Sequence, residues 1–344
     1  MGVLSKNDVG ELRLRTPESP RIALTQIVRQ PWLWCILLLA SVVRLYGFTA
    51  SAVWCDEGSS LMLSDYPLAE IWLHASHDVH PPLYFMLLHG WMALFGDGLV
   101  SIRTLSVLPG IATVLLGMWL VRLIATQRAA LLAGLLLALL PTAVRYSQEV
   151  RMYSLMGLWL IGATIALVYW VKAPHKLRYP VIYTGLMAAA FYTHYFTAFC
   201  VIAHWLYLLI SGRSSGWLIK RPAWWLANVA IVLLFLPWLP GLVDLLQHMD
   251  DLKSGGDVGW EPAVDARSLP AMTWQLLIQD EGENLPWPLF WLAPLALLGG
   301  LVWMAVRDSS RHKFTGLIVI YTLLPILAIY AVSFVSPLFI ERYV

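Results

Sequence analysis

Charge is what this sequence has least of. Of its 344 residues only 13% are Asp, Glu, Lys or Arg, while 59% are hydrophobic. A soluble domain carries about 25% charged residues, so water is excluded as the solvent for most of this surface. The net charge of +2 is too small for a nucleic-acid partner, which needs a basic face. Three cysteines, Cys35, Cys55 and Cys200, are an odd number with two of them inside apolar runs, which excludes a disulfide framework. Internal repeats, low-complexity tracts and a cleavable leader are also missing. Residues 1–30 are polar, with Arg13, Arg15, Arg21 and Arg29, and the first apolar run starts at Pro31. A basic tail before a full-length span reads as a cytoplasmic N-terminus followed by a retained anchor.

What is abundant is apolar sequence in long runs. Crossing a bilayer takes about 20 residues, and candidate spans lie at 31–49, 104–124, 128–146, 153–171, 179–197, 198–211, 225–243, 287–306 and 314–334. The expected fold is all-α, a polytopic bundle of transmembrane helices. Eighteen tryptophans, many beside the ends of these runs, suit interfacial belts. Basic turns at Arg122/Arg128, Lys172/Lys176/Arg178, Arg213/Lys220/Arg221 and Arg307/Arg311/Lys313 fall on one side, cytoplasmic by the positive-inside rule. This alternation closes only if the marginal run 82–96 makes no net crossing. Two external segments then stand out: a first loop, 50–81, with an amphipathic stretch suited to the membrane surface, and an acidic loop, 244–286. The Gly- and Pro-containing sequence of the second, SGGDVGWEP, reads as mobile. The chain divides into a tail, 1–30, and a membrane domain, 31–344. Its stop at Val344, inside a polar cluster, is expected to be a truncation.

Polar residues gather beside span ends on the external side. Asp56 and Glu57, in WCDEGSS, are a solvated loop pair on the plain reading; an isolated acid below a covering loop also suits a general base. In Ser147-Gln148-Glu149-Val150-Arg151-Met152-Tyr153, Glu149 and Arg151 are placed to pair and cap two helices. Alternatively Arg151 grips an anionic headgroup or phosphate bidentately. His74, His77 and His80 recur every three residues with Asp78 among them. That set is a candidate for a divalent metal such as zinc, or a wet helix face. Pro81-Pro82 fixes the turn into 82–96. His194 is a phosphate contact or an interfacial histidine. Arg44 and Arg103 are expected to face the protein interior, Arg44 with a carboxylate or a lipid headgroup. Asp56, Glu149, Arg151, His194 and Arg342 could line one cavity, reached by a lipid headgroup from the side and by another molecule from water.

These motifs resemble family 39 glycosyltransferases, the bacterial relatives of protein O-mannosyltransferases, which have the GT-C fold. The resemblance runs from about residue 31 to the end. It rests on Asp56-Glu57, His80-Pro81-Pro82-Leu83, the stretch Tyr146 to Tyr153 (with Val150 where Ala is common), His194-Tyr195-Phe196, and Pro337-Leu338-Phe339 with Glu341-Arg342-Tyr343. It implies inverting transfer from a polyprenyl-phosphate sugar to a protein, lipid or glycan acceptor, at the non-cytoplasmic face of a bacterial inner membrane. Asp56, with Glu57, would be catalytic, and Arg151, His194 and Arg342 would hold the donor phosphate. His80, Gln148, Glu149 and Tyr153 would support the acceptor, or Glu57 and Glu149 would pair with the cations. The family leaves metal use open and usually continues beyond this point. An O-antigen polymerase or ligase would be expected to show more arginines in its large external loops than Arg267 alone. A lipid-sugar transporter or flippase would show mid-membrane charges and a repeat between halves.

Overall fold

The computed structural model describes Thr25 and residues 28–211, 216–254 and 264–334. Among the described residues there are helices and turns but no strand, the all-α fold expected. Each expected span is helical: α1 (Pro31–Leu45), α5 (Leu99–Ile124), α6 with α7 (Gln127–Leu139, Pro141–Arg145), α8 (Tyr153–Lys172), α9 (Arg178–Phe191), α10 (Thr197–Ile210), α11 (Pro222–Phe235), α14 (Trp287–Arg307) and α15 (Phe314–Val332). The segment 50–81, expected to be the first external loop, holds α2 (Cys55–Ser64) and α3 (Leu68–His74), and the run 82–96 forms α4 (Leu83–Phe95). Prolines set several starts: Pro31, Pro141 and Pro222 each stand in a first turn, where the missing N–H costs nothing.

Among the described residues five helices are long and apolar enough to cross a membrane: α5, α8, α14, α15 and the continuous stretch Pro222–Gln247. The chain is an integral membrane protein. The 13 residues of α4 reach only about 20 Å, short of a hydrocarbon core of about 30 Å. Helices α1, α6 and α10 are similarly short, so length alone does not single out α4.

The sequence of α8 is apolar on every side, which predicts a central helix. Its residues Ala163 through Val171 are buried without interruption, packed among α5, α9, α10, α11 and α15. Within this lining His204 of α10 binds Thr164 of α8 through Nε2 at 3.2 Å and the Tyr183 hydroxyl of α9 through Nδ1 at 3.1 Å, a polar tie between three helices. By contrast α14 buries only Phe290, leaving an apolar outer face.

Two expectations need correcting. The segment 244–286 is not one loose loop: α12 (Leu239–Ser254) runs into it and α13 (Ser268–Ile278) forms within it, while most of the Gly-rich SGGDVGWEP stretch lies outside the described residues. Helix α13 is docked, its Leu276 carbonyl accepting from Thr142 Oγ1 at 2.6 Å. Arg44 does face inward, fully buried, and the protein partners it finds there are backbone carbonyls rather than a carboxylate. Its Nη1 and Nη2 donate to the carbonyls of Ala138 (3.0 Å) and Leu137 (3.1 Å). Pro141 breaks the helix after α6, and the last carbonyls of a helix have no intrahelical donor; the guanidinium serves two of them. Replacing it, Arg44→Met, is expected to cost about 1–3 kcal/mol per orphaned carbonyl, read as a lower thermal unfolding midpoint in detergent.

Candidate active site

The site is framed by Glu57. Asp56 and Glu57 occupy the first turn of α2, where the helix dipole favours negative charge. Glu57 is completely buried and is gripped bidentately by Arg103 of α5, with Nε to Oε1 at 2.9 Å and Nη2 to Oε2 at 2.7 Å. Planar fork-to-carboxylate geometry of this kind is the strong form of an ion pair. Arg103 Nη1 also donates to the carbonyls of Phe48 (2.6 Å) and Ser51 (3.1 Å), fixing the chain between α1 and α2. The Val150 amide donates to Glu57 Oε1 at 2.8 Å, which brings the 146–152 turn onto the same carboxylate. That turn comes close because α5 carries Gly110, where a Cβ would stand 2.5 Å from Ser147 Cβ.

Each anchored residue has a chemically different neighbour. Asp56, beside Glu57, keeps its side chain a quarter exposed, and Arg151, beside Val150, is nearly buried. Arg151 Nη2 lies 3.9 Å from Asp56 Oδ2, and Nη1 donates to the Asp56 carbonyl and to Ser60 Oγ, both at 3.1 Å. Its planar group stands over the Tyr153 ring, 5.7 Å from the centroid, and Nη2 is 3.5 Å from His80 Nε2.

His80 is held from behind, its Nδ1 2.9 Å from Asp78 Oδ1. An Nδ1–H donated to that carboxylate leaves Nε2 as the lone-pair nitrogen turned to Arg151. Burial pushes the His80 imidazole below its ordinary pKa despite Asp78. Burial would raise the Asp78 carboxyl, but the His80 hydrogen bond, the His80 charge and Arg151 outweigh it and hold the group below the usual range. His194 completes the group, its ring 5.1 Å from that of His80 and 6.2 Å from that of Tyr153. Its Nδ1 accepts from the Phe196 amide at 3.2 Å, and burial, with His80 and Arg151 nearby, holds it well below an ordinary histidine. Burial thus disfavours the charged form of both rings.

The structure thus brings Asp56, His80, Asp78, Arg151, Tyr153 and His194 together. Other expected arrangements differ. Glu149 pairs with Arg145 at 3.2 Å, four residues back, rather than with Arg151. Gln148 Nε2 donates to the Arg44 and Tyr46 carbonyls at 3.0 and 3.1 Å. The histidine series does not converge as metal ligands: His74 stacks on Tyr66, His77 faces Asp244 at 3.6 Å, and His80 turns to Arg151. The reason is local, since α3 gives way to a 3-10 turn and Asp78 is extended, so a three-residue spacing no longer stacks on one face. Among the described residues no group of three His, Cys, Asp or Glu side chains could hold a metal ion. Arg342 lies outside the described residues. Sequence reasoning missed the Glu57–Arg103 partnership and Ser60; the signal available was that both charges sit in apolar context and a buried charge needs a partner.

Residues 79–240, a little under half of the chain, match the family model of dolichyl-phosphate-mannose-protein mannosyltransferase. The matched stretch includes His80, Arg103, Arg151 and His194 and begins after Asp56 and Glu57. Among solved structures, the chain is similar to the S. cerevisiae protein O-mannosyltransferase Pmt1–Pmt2 complex bound to the sugar donor, at 17% identity and a TM-score of 0.48. The likeness covers 77% of this chain and 39% of that one, so the chain spans well under half the length of that relative. No curated protein matches.

The Glu57–Arg103 pair generates a measurable expectation. Breaking it by Arg103→Leu strands a buried carboxylate and is expected to cost about 3–5 kcal/mol, with the double change Arg103→Leu, Glu57→Leu less damaging than the single one. Thermal unfolding of both variants in detergent checks this; equal losses would show that the carboxylate does not need its partner.

Proposed function

We propose that this chain carries the catalytic centre of a membrane glycosyltransferase. In this reading it moves a hexose or pentose from a polyprenyl-phosphate donor to an acceptor hydroxyl at the non-cytoplasmic face, with inversion. The observation that carries the reading is the partly exposed Asp56 carboxylate 3.9 Å from the nearly buried Arg151 guanidinium. One group takes a proton and the other stabilises an anion, and glycosyl transfer from a lipid phosphate needs both.

In the reaction the acceptor oxygen attacks the anomeric carbon as the bond from that carbon to the phosphate oxygen breaks. The phosphate keeps the electron pair, and Asp56 takes the hydroxyl proton. The transition state is oxocarbenium-like, with negative charge growing on the departing phosphate. Arg151 is preorganised for that charge by Ser60, the Asp56 carbonyl and Tyr153, so little reorganisation is needed at the moment of reaction. A neutral His80 accepts from Arg151 without competing for its charge with a second anion. His194, with its Nδ1 accepting from the Phe196 amide, carries its proton on Nε2 and in this reading is a second donor to phosphate. Glu57 serves as the support that aims Asp56. Arg342 remains a donor-phosphate candidate on the family resemblance alone.

The external placement is supported by the ends of α8. It starts at Tyr153 beside Arg151 and ends at Lys172, about 30 Å away at 1.5 Å per residue. There Lys172, Lys176 and Arg178 mark a basic turn, as cytoplasmic loops do.

Asp56→Asn is expected to lower transfer of radiolabelled sugar from donor to acceptor by about 10²–10⁴-fold while expression and membrane insertion persist; a fully active variant would remove the general base. For the face, Cys55 is exposed next to Asp56. A membrane-impermeant maleimide should label it in intact cells and fail in Cys55→Ser; labelling only from the cytoplasmic side would reverse the topology.

A further inference from the structure

A groove of about 480 Å³ opens between α5, α8 and α9, within the ~300–1,000 Å³ range of small-molecule sites. On α8 its lining runs from Leu158 to Tyr169. That is about 16 Å at 1.5 Å per residue, or about half of a ~30 Å hydrocarbon core. The groove therefore has the depth of one leaflet. Gly162 lies along its floor, where a Cβ would stand 3.2 Å from Leu186 Cδ1 on the facing wall. Arg178 and Tyr179, the first residues of α9, line the groove too, so it reaches the basic turn 172–178. Neither Asp56, Arg151, Tyr153 nor His194 lines it.

Polar groups of the walls are engaged with one another. Trp119 Nε1 donates to the Tyr169 hydroxyl at 2.9 Å, and the Tyr169 ring stacks on Tyr179 at 5.5 Å. Such a lining suits hydrocarbon. The mouth is different. Arg178 is exposed; its Nη2 donates to the Tyr179 hydroxyl at 2.8 Å, and its guanidinium stands 4.8 Å over that ring. A neutral phenol orients the fork without cancelling its charge. Lys172, in the same turn, donates to the Leu123 carbonyl at 2.6 Å, again a partner without charge. Between Glu149 and Asp244 the chain has no Asp or Glu at all, while Lys172, Lys176 and Arg178 stand within seven residues of one another.

We propose that this groove holds one acyl chain of an anionic phospholipid, with Arg178 binding the headgroup phosphate and Lys172 and Lys176 adding to the positive field. Basic groups beside a groove between membrane helices attract anionic headgroups, and the guanidinium fork matches phosphate. The one-leaflet depth fits a lipid of the leaflet that borders the 172–178 turn. A polyprenyl chain whose phosphate sat at Arg151 would come from the Tyr153 end of α8 and leave Arg178 without an anion. The inference needs only that the chain lies in a membrane, so it stands apart from the glycosyl-transfer reading.

The test places the complete protein in phosphatidylcholine nanodiscs with a trace of phosphatidylglycerol that carries a photoactivatable diazirine on one acyl chain. Cross-linked residues are then mapped by mass spectrometry. Cross-links are expected on the groove lining at 158–169 and 182–186, competed away by unlabelled phosphatidylglycerol but not by added phosphatidylcholine. Arg178→Gln is expected to lower this labelling about fivefold, the factor for one arginine at an anionic headgroup. Ile182→Trp, which fills the groove from an exposed position, should lower it as well. Labelling of the apolar outer face of α14 reports bulk lipid and should change in neither variant. Equal labelling by a phosphatidylcholine probe, or undiminished labelling in Arg178→Gln, means bulk lipid alone and overturns the proposal. So does stronger competition by undecaprenyl phosphate than by phosphatidylglycerol that Arg151→Leu abolishes, which would give the groove to a polyprenyl chain.

Discussion

One buried carboxylate organises the end of this bundle at which Asp56 and Arg151 meet. Glu57 accepts two hydrogen bonds from Arg103 and one from the Val150 amide, and each contact anchors the immediate chain neighbour of a residue with chemistry to do. Asp56 precedes Glu57 at the start of a helix; Arg151 follows Val150 in a tight turn. Two segments almost a hundred residues apart are thereby registered to within a single residue of their functional side chains. An apolar contact could bring the same segments together but would not fix their register, because dispersion is not directional, whereas a bidentate fork is. The desolvation cost of such a pair is high, and it is met here by the density of additional partners: Arg103 also serves the carbonyls of Phe48 and Ser51.

The electrostatics around Arg151 follow a consistent pattern. Its neighbour His80 is buried, and burial disfavours the charged form of that ring. The balancing anion Asp78 stands behind His80 rather than against the guanidinium, while Asp56 approaches to 3.9 Å without a close charge-assisted bond. The guanidinium is held by the Asp56 carbonyl and Ser60 Oγ, with the Asp56 carboxylate 3.9 Å away as a counter-ion. On the proposed reading, an arriving phosphate would meet a fixed cation with a proton-accepting carboxylate beside it.

How much of this was legible in the sequence differs by length scale. The apolar helices were, because long apolar runs have few other fates, and Pro31, Pro141 and Pro222 punctuate them locally, although among the described residues only five are long enough to cross a membrane. The gathering of Asp56, Arg151 and His194 at one end was legible from the side on which basic turns fall. The pairing of individual charges was not. Glu149 and Arg151, two apart, look adjacent in print, yet in a helical turn it is the residue four back, Arg145, that meets Glu149. Three histidines at a spacing of three suggest a ligand set only if the helix continues, and it stops at Asp78. Arg44 was expected to need a carboxylate; Pro141, ending the helix beside it, was the sign that carbonyls were available instead. Glu57 and Arg103 are forty-six residues apart, and only the cost of leaving either alone in apolar surroundings hinted that they meet.

The same arrangement separates the parts of the molecule that must be constant from those that can vary. The groups proposed to do chemistry come from the first loop, the 146–152 turn and the turn at His194, all packed on one apolar cluster around Tyr84, Val150 and Met152. The second external segment, 264–286, reaches this region at the rim, where Gln279 accepts from Arg145 and donates to Thr142. Gln279 ends α13 in the left-handed conformation, a backbone state that side-chain-bearing residues seldom adopt without compensation; its bonds to both Thr142 and Arg145 supply it. A change in this segment would shift Arg145, and through it Glu149, without touching Glu57, Arg103 or Arg151. Among the described residues Arg145 is tied to the centre by Glu149, next to the Val150 amide fixed on Glu57, and by Tyr146, whose carbonyl accepts from Ser154 beside Tyr153.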